Sequence, residues 1–395
     1  MNIDFHHGVT YVVTRLAGFS HEDAQTVAIS SQYVDDATDS GVLEFKTKEL
    51  YKYSASAHKN LDYRNFKNLK NHMVWIPFHF LPGGEFDENE TNVPEFIQKI
   101  TTKPNSEVAQ DMVKSLFKRL NDKNFLHQLG ITMHVYADTW AHQGFAGIDD
   151  QINEIKDITH MHKGEDFHSN RKKFYGKMKW NGAHKRSFWQ YLYNSSFWKY
   201  SEGLKLKLWE KVVSKFISNS YPLGHGALLS FPDRPYLCFE YKDGYGRQHK
   251  RENFKIFSEA VRHMYHWLKC LKEGTEPESG VMYEMLEKDF ETIVGMFTGL
   301  AYECEHERYD GWIKAIKAGV FSFGSEDIGP HSPDGEKSWV SRALNVMSED
   351  NISSHQNDFS DQFNGSDWKL FRDALEMHRT IVINDILPRY DICVA

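Results

Sequence analysis

The chain has few cysteines, no long apolar run and no surplus of positive charge, and each scarcity removes a class of protein. Cys238, Cys270, Cys304 and Cys393 lie far apart with no Cys-x-x-Cys pair. Neither a disulfide framework nor a thiolate zinc site is expected, and reduced thiols in a cytosolic protein fit better. No stretch approaches the roughly 18 consecutive apolar residues that a membrane helix requires. The opening Met1-Asn2-Ile3-Asp4-Phe5-His6-His7 has neither the charge nor the apolar core of a leader, so a cytoplasmic protein with no transmembrane segment is expected. Lys and Arg number 47 against 55 Asp and Glu, a net charge of −8, which excludes a duplex nucleic-acid binder that works by bulk charge.

What is present is ordinary in bulk and unusual in two details. With 395 residues, 40% hydrophobic and 26% charged, the chain is long and apolar enough to bury a large core without metal or disulfide staples. The exceptions are 21 histidines and an aromatic share of 14%. Histidine is the commonest metal ligand near neutral pH, so its excess is where chemistry is sought.

Hydrophobic periodicity indicates a mainly α fold. An apolar stretch from Val9 to Leu16 stops at Gly18, and Ser20 to Asp23 resembles a capping box opening a helix over His21 to Asp39 that Gly41 ends. Helices are also expected over Leu61 to His72, Ser106 to Asn121, Phe125 to Gln143, Gln151 to His162, Ser187 to Ser218, Asn253 to Leu271 and Val281 to Ala318. Val74 to Gly84, with Pro77 and Pro82, predicts a turn-rich connector, and Tyr221 to Tyr241 a break that supplies a short strand or two. Residues 163–186 are expected to be a basic, aromatic loop or insertion, most often a solvated surface loop, whose functional reading is a platform for phosphate or an anionic lipid headgroup. The expected organisation is one helical domain over residues 1–318 and a polar extension over 319–395, loosely attached and closed by a last helix.

The strongest local signal is His134-Val-Tyr-Ala-Asp138-Thr-Trp-Ala-His142. On a helix its three polar residues share one face, but at about 1.5 Å per residue the two histidines stand roughly 12 Å apart along the axis, too far to chelate one ion comfortably. Asp138 would then bridge two ions, since a carboxylate has two oxygens and each imidazole serves one metal. The company is suggestive: His6 and His7 open the chain, Asp35 and Asp36 end a helix, His72 and His79 flank a turn, and His225 sits between glycines. Zinc suits this mixture of imidazole and carboxylate, and manganese or iron would accept it.

At these residues the chain resembles the zinc-dependent phospholipase C and single-strand nuclease superfamily, through His79-Phe-Leu-Pro-Gly-Gly, His134-x3-Asp138 and the histidine that follows. The resemblance implies the all-helical phospholipase C fold with a cleft holding two or three zinc ions. Asp35 or Asp36, His79, His134 and Asp138 would hold one ion, His6 or His7 with Asp138 another, and His142 with His225 the remaining one. The superfamily uses a free N-terminal amine as a ligand. With Met1-Asn2 and no leader, that ligand is expected to be absent or replaced, with Asp4 as the substitute; His162-x3-Asp166 is the nearest analogue of a later His-x3-Glu. Asp-Phe-His-His-Gly, Gln32-Tyr-Val-Asp-Asp and the His134 run also resemble an uncharacterised bacterial family of the same helical type over residues 1–240.

The function expected is hydrolysis of a phosphoric ester, phosphodiester or phospholipid, by metal-activated water, with whichever of Asp35 and Asp36 is freer acting as general base. An HD-type phosphohydrolase needs an adjacent His-Asp pair that the sequence lacks. The alternative is a non-catalytic helical binding protein held together by structural ions. Composition does not address oligomeric state.

Overall fold

A computed structural model of the chain describes residues 1–58, 68–160, 224–225, 228, 230–278, 280–354 and 358–394. The basic insertion 163–186, the helix expected over Ser187 to Ser218, and His162 with Asp166 lie outside the described residues. Asp4–Val9 forms a π-helical turn that runs into α1 (Thr10–Leu16). Ser20 then caps α2 (His21–Asp36), its hydroxyl accepting the Asp23 N–H at 3.1 Å. A small hairpin follows, β1 (Gly41–Glu44) with β2 (Leu50–Tyr53), which periodicity did not indicate. Next come α3 (Asn68–Phe78), α4 (Glu95–Ile100), α5 (Glu107–Lys114) and α6 (Phe125–Ala141). A three-stranded antiparallel sheet is built from β3 (Ile155–His160), β4 (Cys238–Asp243) and β5 (Gln248–Glu252), in that order. The chain continues as α7 (Asn253–Glu273), α8 (Glu287–Gly299), α9 (Glu305–Lys317), α10 (Trp339–Leu344), α11 (Asp361–Asn364) and α12 (Asp367–Thr380). The described residues are mainly helical, as periodicity indicated.

Helix α6 is the axis of the molecule and is buried on nearly every side. It packs against α2 at Gly130, where a Cβ would stand 2.4 Å from the Val27 carbonyl oxygen and 2.5 Å from the Ser30 Cβ. Only glycine permits so close a backbone approach. On other sides α6 meets α7 and α12.

Three expectations are corrected. The segment expected as a helix over Gln151 to His162 is a 3-10 turn over Gln151–Asn153 followed by β3, because pairing with β4 outweighs local preference. The connector expected from Val74 is helical through Pro77 to Phe78. Pro77 has no N–H for the Met73 carbonyl, and Arg379 Nε donates to that oxygen instead, at 3.0 Å. The helix expected over Val281 to Ala318 is two helices, with a break between Gly299 and Glu305.

Residues 319–395, read from composition as an extension, send Trp339, Trp368, Phe371 and Leu375 into the same continuous core as Phe5, Val27 and Val135. A second, smaller core of Phe80, Phe145, Phe231, Tyr236 and Tyr241 lies at the three-stranded sheet.

Candidate metal centre

Helix α6 presents His134 and Asp138, and His142 caps its end, where the His142 N–H still donates to the Asp138 carbonyl at 2.8 Å. The buried Asp138 carboxylate is the hub. Its Oδ1 touches the Met1 amino nitrogen and lies 3.2 Å from His6 Nε2, while its Oδ2 lies 3.4 Å from His79 Nδ1, 3.3 Å from His134 Nε2 and 3.5 Å from His142 Nδ1. Asp35, in the last turn of α2, stands 3.8 Å from His79 Nδ1, 3.9 Å from His134 Nε2 and 4.0 Å from His6 Nε2. Beyond His142, Asp233 brings Oδ1 to 3.3 Å from His142 Nε2 and 3.5 Å from the Met1 nitrogen, and Oδ2 to 3.6 Å from His225 Nε2. The donors form three groups able to hold a metal ion: His6, His134 and Asp138; Asp35, His79 and His134; His142, His225 and Asp233. In each, the ligand atoms lie within 4.8 Å of one another.

Main-chain carbonyls set the imidazoles. His134 Nδ1–H donates to Ser31 O at 2.8 Å, His79 Nε2–H to Ser56 O at 3.0 Å, and His142 Nδ1–H to His79 O at 2.7 Å. Each ring therefore keeps its other nitrogen bare and turned toward the carboxylates, the arrangement of a metal-ligating imidazole. Both ring nitrogens of His6 and the Oδ2 of Asp138 are buried without a hydrogen-bond partner. Orphaned polar atoms at such depth are unfavourable unless a cation satisfies them, so the donor set fits a metal.

The electrostatics favour the ligand forms of His6, His142, Asp138 and Asp233. Burial drives the His6 imidazole well below its ordinary range, reinforced by His134 and the Met1 ammonium, and drives His142 down to about 4. Burial would raise Asp138, but His142, the Met1 ammonium, His134 and His6 outweigh it and hold the carboxyl well below its usual range. Asp233 is likewise depressed, burial being overcome by His225, the Met1 ammonium and His142. Asp35 moves the other way, raised by burial against the pull of His134 and His79. The Met1 amine is raised to about 10, burial being outweighed by Asp138, Asp233 and Asp35.

The structure separates the paired candidates. His6 and Asp35 join the centre together with His79, His134, Asp138, His142 and His225. His7 does not: its Nδ1 accepts from the Tyr309 hydroxyl at 2.9 Å, and the same hydroxyl oxygen accepts the His331 N–H. Asp36 also turns away, bonding His331 Nε2 at 2.7 Å. Asp4, expected to stand in for an N-terminal amine, is committed to Arg308, with Nε at 2.6 Å, and the Met1 nitrogen itself occupies the place beside Asp138. Sequence reasoning missed Asp233. The available signal was an acid in the proline-bounded turn Phe231-Pro232-Asp233-Arg234-Pro235, eight residues after His225.

Fold and site together define a mainly helical protein with buried clusters of histidine and aspartate that could hold metal. The chain belongs to the family of unknown function DUF6765, which it matches over residues 1–386. No curated protein and no solved structure matches it. Among the described residues no helix is long and apolar enough to cross a membrane.

Proposed function

We propose that the protein is a metal-dependent hydrolase of phosphoric esters, acting on a phosphodiester or phospholipid, with two or three zinc ions as cofactor and the helical architecture of the phospholipase C and nuclease superfamily. Manganese or iron would suit the same donors. The observation that carries this reading is the Asp138 carboxylate, whose two oxygens face different sets of imidazoles, as a carboxylate shared between ions does. His142, His225 and Asp233 would hold the ion farther from Asp35.

Bound ions would polarise the phosphoryl group and bring the pKa of a coordinated water to about 7. The chain's own residues do the rest. The Asp35 side chain is 33% exposed and His225 17%, which leaves the centre open on their side while His6, His134 and Asp138 stay buried. An open position distinguishes a catalytic from a closed structural site. Asp35 would there accept a proton from attacking water. Three carboxylates, Asp35, Asp138 and Asp233, do not neutralise two or three divalent ions, so the loaded cleft carries net positive charge and favours an anionic ester.

The test is metal content measured together with hydrolysis of bis(p-nitrophenyl) phosphate by wild type and Asp138→Asn. Loss of the shared carboxylate is expected to reduce kcat by on the order of a hundredfold or more, since metal stabilisation of the transition state is worth several kcal/mol. Full activity in that variant would refute the bridge. Metal-replete wild type inactive on every ester tried would favour the non-catalytic binding protein.

A further inference from the structure

Two buried side chains at the junction of β5 and α7 belong to none of the three donor groups. Arg251 is 3% exposed, yet among the described residues no carboxylate lies within ion-pair distance of it. Its guanidinium spreads over main-chain carbonyls instead: Nη2 donates to Ala141 O at 2.7 Å and Trp140 O at 3.5 Å, and Nη1 to Gln143 O at 3.3 Å. These carbonyls flank His142, and those of Trp140 and Ala141 belong to the negative pole of α6, which offsets part of the cost of burying the cation. Asn253, fully buried, holds the opposite wall. Its Nδ2 donates to Phe231 O at 2.8 Å and Arg234 O at 2.9 Å, on either side of Asp233, and its main-chain N–H donates to Leu237 O at 2.9 Å. Arg251 Nε meets Asn253 Oδ1 at 3.4 Å and joins the two halves.

We infer that Arg251 and Asn253 are positioning residues that fix the separation of His142 and Asp233, and so make the third donor group a subsite controlled apart from the other two. The inference rests on the metal reading above. His142 and Asp233 stand 91 positions apart in sequence, with Nε2 and Oδ1 at 3.3 Å. On its outer side each is held by this pair, through carbonyls one or two residues away. The anchors of the other groups, Ser31 O behind His134 and Ser56 O behind His79, belong to α2 and to the segment after β2, and a main-chain link between them and the third group is the His142 Nδ1–H bond to His79 O at 2.7 Å, which the pair does not touch. Disturbing the pair should therefore open one subsite and leave the hub at Asp138 loaded.

The experiment reloads metal-depleted full-length protein with zinc and counts zinc per chain at buffered free zinc for wild type, Arg251→Lys, Asn253→Asp and the reference His142→Ala. Lysine cannot fork over three carbonyls, and aspartate has no amide to donate. Both variants are expected to match His142→Ala, losing one zinc or holding it about ten- to a hundredfold more weakly, as for other residues that orient metal ligands, with the remaining zinc at wild-type affinity and an unchanged far-UV spectrum. Wild-type occupancy and affinity in both variants would overturn the inference. So would failure of both to fold, because the pair would then support the core rather than the subsite. Wild type that takes up no zinc is a separate result, which removes the metal reading itself.

Discussion

Single side chains decide which of several plausible ligands face the candidate centre. Asp35 and Asp36 are adjacent, and adjacent residues on a helix point about 100° apart, so at most one readily faces a given centre. His331 claims Asp36, while His79 and His134 surround Asp35. Asp35→Asn is therefore expected to lower zinc content and abolish most ester hydrolysis, and Asp36→Asn to leave zinc per chain unchanged. Equal loss of zinc in both variants, measured by metal analysis, would contradict the assignment. The sequence could not make this choice, since His331 is 295 positions from Asp36. By contrast His134, Asp138 and His142 were legible, because four-residue spacing on a helix is a local geometric signal. Asp233 was not: its place follows from a turn held by Asn253, and no periodicity marks a turn.

At the scale of elements, the helices were readable from their apolar spacing and caps; of the sheet, only a short strand or two within Tyr221 to Tyr241 was expected, where β4 begins at Cys238, and the pairing was not. Strand β3 pairs with β4, which lies some eighty residues away, so no local pattern reports the pairing. The turn joining β4 to β5 is tied by buried Asp243, which accepts from Arg247 Nε at 2.7 Å and His249 Nε2 at 2.9 Å. Burial opposes ionisation there, but these partners hold the carboxyl down to about 2. A carboxyl whose folded pKa lies below its unfolded value of about 3.9 contributes stability that is complete above that value and is lost as pH falls through it toward 2. The contribution is about 2 kcal/mol. Asp243→Asn should thus lower the thermal midpoint relative to wild type at pH 6, and the gap should close progressively between about pH 5 and pH 2. A gap that stays constant across this range would exclude the linkage.

The polar composition of residues 319–395 conceals how deeply they are built into the whole. Serine and aspartate are the commonest residues there, but large apolar side chains are sent inward: Trp368 and Phe371 are fully buried in the core that also contains Val135 of α6, while Val320, Met347 and Phe359 stay exposed. Trp368→Ala is expected to cost about 3–5 kcal/mol and to lower the unfolding midpoint of the entire molecule in a single transition. Separate transitions for the two ends of the chain, resolved by calorimetry, would instead establish an independent extension.

The same late helix reaches the centre. His378 Nε2 donates to Pro77 O at 2.9 Å, and Arg379 donates to Met73 O and to Ala55 O, the carbonyl next to the one that orients His79. During synthesis, a ribosome that has made every imidazole of the cage has not yet delivered the residues that brace it. A nascent chain stalled short of Arg379 would display the candidate donors on a scaffold without these bonds.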